Sequence, residues 1–99
     1  MAKYFLTNKA VQDLSDIYEY TYTFWSETQA EKYYLELIDF CQMLSENPNI
    51  GKSYPAIDQD LLGFPAQKHI IFYKSISKDE IEIIRILGGN MDLKNRLHE

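Results

Sequence analysis

The apolar residues of the chain change their spacing once, and this change limits the folds that the chain can adopt. Between residues 7 and 46 they recur at intervals of three and four, which places them on one face of a helix. From Leu61 onwards the spacing becomes alternating, which is typical of strands. Helical and strand patterns are thus segregated along the chain, and this segregation favours an α+β fold.

The first helical segment begins after Thr7, whose hydroxyl can accept a free backbone N–H of the first turn. Its predicted core face comprises Ala10, Leu14, Ile17, Thr21 and Phe24, and it is flanked by Val11, Tyr18 and Trp25. The acidic residues Asp13, Asp16 and Glu19 are expected on or near the opposite, solvated face.

The second helical segment begins at Ser26, because Ser26 followed three residues later by Gln29 fits a capping box. It ends before Pro48, which lacks a backbone N–H and restricts the residue in front of it. Its predicted apolar stripe comprises Ala30, Tyr34, Leu37, Cys41 and Leu44, flanked by Tyr33 and Ile38. Two helices with so short a joint predict an antiparallel hairpin.

Four segments are predicted to be strands. They are residues 2–6, 61–65, 68–76 and 80–87, with a loop over 47–60 and a turn over 77–79. The predicted class is therefore α+β in the order β-α-α-β-β-β, with a helical hairpin packed on a small, mostly antiparallel sheet. Residues 1–99 are expected to form a single domain, since about 100 residues is a common domain size.

Composition excludes several classes of site. The chain has one cysteine, Cys41, so an internal disulfide is impossible, and one thiol with two separated histidines predicts neither a metal site nor a cofactor. The sequence has no apolar run long enough for a membrane span and no signal-peptide pattern, so a cytoplasmic location is expected. The formal net charge of −5 counts against direct binding of nucleic acid.

Two residues on the predicted strands permit alternative interpretations. His69 is either a half-buried histidine that hydrogen-bonds to its neighbours or a general base, and no nucleophile stands at a recognisable spacing from it. Arg85 is a charge among aliphatic residues and needs a partner. That partner is either a carboxylate of this chain, for which Asp92 is a candidate, or a phosphate or protein outside it.

The order of motifs along the chain resembles the ParE-type toxins of the RelE/ParE superfamily. The motifs are LTNKAVQDLSDIYEYT, Trp25, QAEKYYLEL, NP-x-IGK, H-x-I-x-Y and IIRILGGNMDL, and together they extend from about residue 4 to residue 93. The family commonly ends in Arg-[Val/Ile]-Leu-His-x-x-Met-Asp, and this chain has Gly88 where that His is usual. Because glycine tolerates positive φ, Gly88 and Gly89 are expected to turn the chain sharply off the last strand.

The resemblance implies the toxin of a type II toxin–antitoxin system. ParE-type toxins poison DNA gyrase and are neutralised by a small ParD-like antitoxin, so these two proteins are the implied partners and binding, not catalysis, is the implied activity. The RelE branch instead cleaves mRNA on the ribosome, using basic residues and a tyrosine or histidine near the last strand. Such an endoribonuclease and an inactive interaction module are the two alternatives.

The resemblance also implies a set of residues that bind the target or the antitoxin. They are Trp25, Tyr33, His69, Tyr73, Arg85, Met91 and Asp92, with no catalytic residue and no metal ligand among them. Met91 is expected to pack against the core, and Asp92 to cap a final helical turn, LKNRL. Leu93 and Leu97 would share one face of that turn. This tail is expected to serve function more than folding.

Overall fold

The structure, a computed structural model, describes residues 1–89 and 93–97. Its elements are β1 (Lys3–Leu6), α1 (Asn8–Phe24), α2 (Glu27–Glu46), β2 (Lys52–Ser53), β3 (Leu62–Ala66), β4 (His69–Ser77), β5 (Glu80–Gly88) and α3 (Leu93–Leu97). The two long helices pack on a five-stranded sheet, which confirms the predicted α+β class.

The sheet has the strand order β1-β5-β4-β3-β2. The neighbouring strands are antiparallel except for β1 and β5, which run parallel with Leu6 opposite Ile83. The prediction of a mostly antiparallel sheet is therefore confirmed. The prediction of a continuous loop over residues 47–60 was wrong, because β2 lies within it. Two residues are too few to display an alternating pattern, so only their pairing with β3 identifies them as a strand.

Both predicted helix N-caps are present. The Thr7 Oγ1 accepts the Ala10 N–H at 3.0 Å, and the Ser26 Oγ accepts the Gln29 N–H at 3.0 Å. The Ser26 N–H donates to the Thr21 carbonyl at 3.2 Å rather than to the Gln29 side chain that a full capping box would use. The joint between the helices is thus closed by the end of α1 as well as by the start of α2.

Two hydrophobic clusters lie on opposite faces of the sheet. Successive residues of β4 point to opposite faces, so Ile71 and Tyr73 join the cluster beneath the helical hairpin, and Phe72 joins a second cluster with Leu61 and Leu87. Only the face beneath the helical hairpin was predicted to be buried. The second face is buried as well, so the central strands are hydrophobic on both sides.

The core face of α1 is shorter than predicted. Phe24 was expected in the core, and this was wrong: the residue is 68% exposed and packs on Tyr20, with ring centroids 4.6 Å apart. Thr21, one turn earlier, is the last buried residue of the helix. Helical spacing alone cannot identify this limit, because it depends on where the sheet and α2 stop covering α1.

Gly88 and Gly89 do not form the expected turn by positive φ. No glycine within residues 1–89 has a positive φ; Gly88 is the buried last residue of β5, and the Gly89 N–H donates to the Lys68 carbonyl at 3.2 Å. The positive φ in the described part of the chain belongs to Gln67, at 61°, in the two-residue turn between β3 and β4.

Candidate functional site

A cleft opens where the end of α1, the first turns of α2 and the β3–β4 turn meet. Its volume is about 520 Å³. This corner cleft is lined by Tyr20, Thr21, Trp25, Gln29, Lys32, Tyr33, Glu36, Gln67, Lys68 and His69. It brings together three of the seven predicted binding residues, Trp25, Tyr33 and His69. The other seven lining residues were not predicted as site residues.

Tyr33 and His69 form a hydrogen-bonded pair in the corner cleft. The Tyr33 hydroxyl lies 2.6 Å from His69 Nδ1. Burial lowers the pKa of His69, with partial opposition from the Asp13 carboxylate, and burial raises the pKa of Tyr33. Both groups are therefore neutral at neutral pH, and the tautomer of His69 sets which of the two groups donates in this hydrogen bond. This geometry matches the interpretation of His69 as a half-buried, hydrogen-bonded histidine.

Trp25 is the most exposed of the three predicted residues in the cleft. Trp25 is 69% exposed. The Nζ atom of Lys68 lies 5.8 Å from the centroid of the Trp25 ring. A lysine over a tryptophan face makes a favourable cation–π contact. The contact joins the corner of the helical hairpin to the β3–β4 turn across the cleft.

Arg85 lies outside the cleft, in a buried ion pair. Its Nε and Nη2 atoms donate to the two carboxylate oxygens of Asp13 at 2.7 and 2.9 Å, and the two residues are only 6% and 7% exposed. Its Nη1 donates to the Arg96 carbonyl at 2.8 Å. Arg85 therefore pairs with a carboxylate of this chain, as one alternative proposed, and Asp13 supplies that carboxylate. The candidate Asp92 lies outside the described residues.

The expectation that Asp13 faces solvent was wrong, and the end of β1 explains why. Because β1 stops at Leu6, the following part of the β5 edge has no strand beside it. Side chains take the place of that strand: the Thr7 hydroxyl donates to the Ile84 carbonyl at 2.7 Å, and Asp13 Oδ2 accepts the Ile86 N–H at 3.0 Å. A carboxylate is thus drawn into the core by an unpaired backbone donor.

Tyr73 is fully buried and holds a loop in place. Its hydroxyl donates to the Pro48 carbonyl at 2.9 Å and accepts the Gly51 N–H at 2.9 Å. A Cβ atom at Gly51 would overlap the hydroxyl and lie 2.9 Å from ring carbons, so glycine is required here. In this conformation Tyr73 presents no surface to a partner.

Two of the predicted site residues, Met91 and Asp92, lie outside the described part of the chain. The final helical turn is present as α3, and Leu93 and Leu97 share one face, as predicted. That face packs on the second hydrophobic cluster, beside Leu87.

A second concave surface runs along the helical hairpin. This hairpin groove has a volume of about 470 Å³ and is lined by Leu6, Val11, Leu14, Ser15, Tyr18, Glu19 and Tyr34. The Tyr18 ring meets the Tyr34 ring edge-on, with centroids 6.2 Å apart. None of these residues was predicted as a site residue. A signal was present, since the flanking residues Val11 and Tyr18 make the apolar face of α1 wider than one buried stripe.

Residues 1–89 and 93–97 contain neither a membrane-spanning helix nor a metal-binding cluster. No helix there is long and apolar enough to cross a membrane. Nor do His, Cys, Asp and Glu side chains in these ranges gather in groups that could hold a metal ion.

The fold is shared with a solved structure described as the chromosomal ParDE TA system from P. aeruginosa. A chain of that structure matches with a TM-score of 0.75 and 21% sequence identity, over 89% of this chain and 96% of that one. This likeness shows that the two chains share one α+β fold.

Sequence comparisons identify the family within that class. The sequence model described as the ParE toxin of type II toxin-antitoxin system, parDE, matches residues 4–93. Toxin ParE1 of Mycobacterium tuberculosis is 30% identical over 96 residues, which cover 97% of this chain and 98% of that relative. Toxin ParE1 of Caulobacter vibrioides is 30% identical over 97 residues, covering 98% and 99% of the two chains. The chain therefore belongs to the ParE toxin family, which confirms the resemblance seen in its motifs.

Proposed function

We propose that residues 1–99 act as a single toxin domain that binds and inhibits DNA gyrase in the cytoplasm, and that a ParD-type antitoxin neutralises it. Membership of the ParE toxin family supports the toxic activity. The description of the structural neighbour as a ParDE system supports a ParD-type partner. Gyrase is the target that the family resemblance implies.

The buried ion pair of Arg85 is the observation that best supports a toxin that acts by binding its target and not by cleaving RNA. An endoribonuclease of the RelE kind needs basic side chains near its last strand to stabilise a phosphate. Here the arginine of β5 is 6% exposed, and its guanidinium already binds both oxygens of Asp13. The net charge of −5 further disfavours approach of a polyanion.

We propose the hairpin groove as the binding site of the antitoxin. Partners commonly dock an amphipathic helix into an apolar groove, and aromatic residues dominate the binding energy of such interfaces. Tyr18 and Tyr34 provide the aromatic pair, and the exposed Val11 extends the apolar surface beside them.

Induction in growing cells tests the mode of action. A gyrase inhibitor is expected to cause filamentation and a DNA-damage response while bulk translation continues at early times. Purified gyrase should lose supercoiling activity when the toxin is added. Early loss of mRNA, with cleavage at codons in the ribosomal A site, would show an endoribonuclease instead.

Toxin variants co-expressed with the antitoxin test whether the hairpin groove is the antitoxin-binding site. The Val11→Glu variant places a charge in the apolar groove and should weaken antitoxin binding by roughly tenfold or more. Ile76→Glu is the matched control, because Ile76 is a similarly exposed aliphatic residue outside the groove lining. Equal affinities of the two variants, each with an unchanged circular dichroism spectrum, would place the antitoxin elsewhere on the toxin.

A further inference from the structure

We propose that the corner cleft binds an acidic peptide segment that carries an aromatic or aliphatic side chain, presented by a partner protein. The cleft is separate from the hairpin groove: the two lining sets share no residue. The proposal does not depend on gyrase being the target of the toxin.

The charge of the cleft differs in sign from that of the chain. Lys32 and Lys68 line it, against the single carboxylate of Glu36, in a chain whose net charge is −5. Lys68 is held over the Trp25 ring at 5.8 Å, so its ammonium group is positioned beside an aromatic surface. A carboxylate entering the cleft would meet a local excess of positive charge.

His69 places a ring nitrogen near the two lysines. Its Nδ1 is engaged by the Tyr33 hydroxyl at 2.6 Å, which leaves Nε2 for another partner. Every buried side-chain nitrogen and oxygen in the described part of the chain has a hydrogen-bond partner, and Nε2 makes no hydrogen bond within that part. Nε2 is therefore not fully buried, and His69 lines the cleft. In the tautomer that carries the proton on Nε2, this N–H can donate to a carboxylate oxygen of the ligand.

An apolar surface lies beside these donors. Trp25 and Tyr20 line the cleft and are 69% and 61% exposed, which is unusual for side chains of their size. Tryptophan and tyrosine are the residue types that contribute most to binding energy when a partner covers them. An apolar side chain of the ligand would remove these rings from water while its neighbouring carboxylates reach Lys32 and Lys68.

The dimensions and charges favour a peptide over a nucleic acid. A cleft of about 520 Å³ accommodates a few side chains. Binding of nucleic acid usually neutralises several phosphates, roughly six to ten in strong complexes. Two lysines beside Glu36 on an acidic chain provide far less positive charge than that.

Trp25 provides a direct readout, because it is the only tryptophan of the chain. The probe is an N-acetylated peptide of sequence Asp-Glu-Phe-Glu-Asp, and its matched neutral counterpart is Asn-Gln-Phe-Gln-Asn. Titration with the acidic peptide should shift the tryptophan emission to shorter wavelength with a Kd below ~1 mM. The neutral peptide should bind at least roughly tenfold more weakly, and added salt should weaken the acidic peptide selectively.

Charge-reversal variants test the cleft itself. The double variant Lys32→Glu/Lys68→Glu should weaken the acidic peptide by roughly tenfold or more. Lys9→Glu/Lys78→Glu is the matched control, since it changes the net charge equally at exposed residues outside the cleft lining. Isothermal titration calorimetry measures the same affinities without relying on Trp25, and circular dichroism confirms that the variants are folded.

Three results would overturn the proposal. The first is absence of binding by both fluorescence and calorimetry. The second is equal binding of the acidic and neutral peptides, or equal losses in the two double variants. The third is tighter binding of a dT oligonucleotide of about ten nucleotides than of the acidic peptide, which would assign the cleft to nucleic acid.

Discussion

Asp13 and Arg85 show how two residues can join three elements. The carboxylate of Asp13 accepts hydrogen bonds from the Arg85 side chain and from the Ile86 backbone, and Arg85 also donates to the Arg96 carbonyl of α3. Burying both charges is costly, and the bidentate geometry with its additional hydrogen bonds offsets that cost. Such a pair contributes more to the specificity of packing than an exposed ion pair can.

Removing one member of the pair should therefore be more damaging than removing both. The Asp13→Ala variant leaves the Arg85 guanidinium buried without that carboxylate, and should lower the free energy of unfolding by about 3–5 kcal/mol. The double variant Asp13→Leu/Arg85→Met replaces both charges by apolar groups and should recover most of this loss. Urea denaturation measures both values. A double variant no more stable than Asp13→Ala would contradict the expected coupling.

At the scale of elements, the β3–β4 turn carries a local strain. Gln67 has a φ of 61°, a conformation in which a Cβ atom costs about 1–2 kcal/mol and which glycine adopts readily. Two-residue hairpin turns commonly place glycine at such a position. The side chain of Gln67 makes an exposed hydrogen bond of 3.4 Å to Glu36, which offsets little of this cost.

Gln67→Gly is thus expected to stabilise the protein by about 0.5–1 kcal/mol, since glycine relieves the strain but gains entropy in the unfolded chain. Thermal melting should show a rise of a few degrees, roughly 4–8 °C per kcal/mol for a chain of this size. Gln67→Ala is the control, because it removes the contact with Glu36 and retains the Cβ atom. An alanine variant as stable as the glycine variant would show that no backbone strain is present.

At the scale of the whole molecule, α3 covers the sheet face opposite the helical hairpin. Leu93 and Leu97 are half-buried against the second cluster, which contains Leu61, Phe72 and Leu87. The larger cluster beneath the hairpin does not include α3. The main core therefore forms without α3, and α3 covers the smaller second cluster.

A chain that ends at Asn90 is expected to remain folded, with a lower melting temperature, and to lose its toxicity. Full burial of one leucine stabilises by about 1.5–3 kcal/mol, so two half-buried ones contribute less than the core beneath the hairpin. Circular dichroism melting and growth arrest on induction measure the two properties separately. Undiminished growth arrest would refute a functional role of the tail, whereas an unfolded product would show that the second cluster is essential to the fold.

Stability should also fall at both extremes of pH. Burial raises the pKa of Cys41 from 9.0 to about 12, so the folded state keeps the thiol proton longer than the unfolded state does. This contribution is fully present below pH 9 and is lost as the pH rises towards 12. Burial lowers the pKa of His69, so its contribution is present above the ordinary value of 6.5 and is lost as the pH falls below it.

Cys41→Ala should flatten the alkaline part of this profile. The variant will be less stable at neutral pH, because it leaves a cavity in the core, so the quantity to compare is the slope of stability against pH. Urea denaturation between pH 8 and 9 measures that slope, because the thiol of the unfolded chain, with an ordinary pKa of 9.0, begins to ionise there while its tyrosines, with an ordinary pKa of 10.0, remain mostly protonated. Equal slopes in the variant and the parent would contradict the role assigned to the Cys41 thiol.

Local signals in the sequence were sufficient to predict the two long helices, the four longer strands and the family. A helix cap or a periodic face involves residues only a few positions apart, so its signal is local. Such signals mark the N-caps Thr7 and Ser26, the end of α2 before Pro48 and the change of period at Leu61. The motifs along residues 4–93 likewise identify the ParE toxin family without coordinates.

The contacts between residues far apart in the chain are visible only in the folded structure. Asp13 and Arg85 are 72 positions apart, and Tyr33 and His69 are 36 apart, so no periodic pattern relates them. The burial of Asp13 depends on where β1 ends beside β5, and the corner cleft depends on how far the sheet extends beneath the helices. These features arise when backbone donors and apolar surfaces left unpaired by local structure find partners elsewhere in the chain, and packing, not sequence spacing, selects those partners.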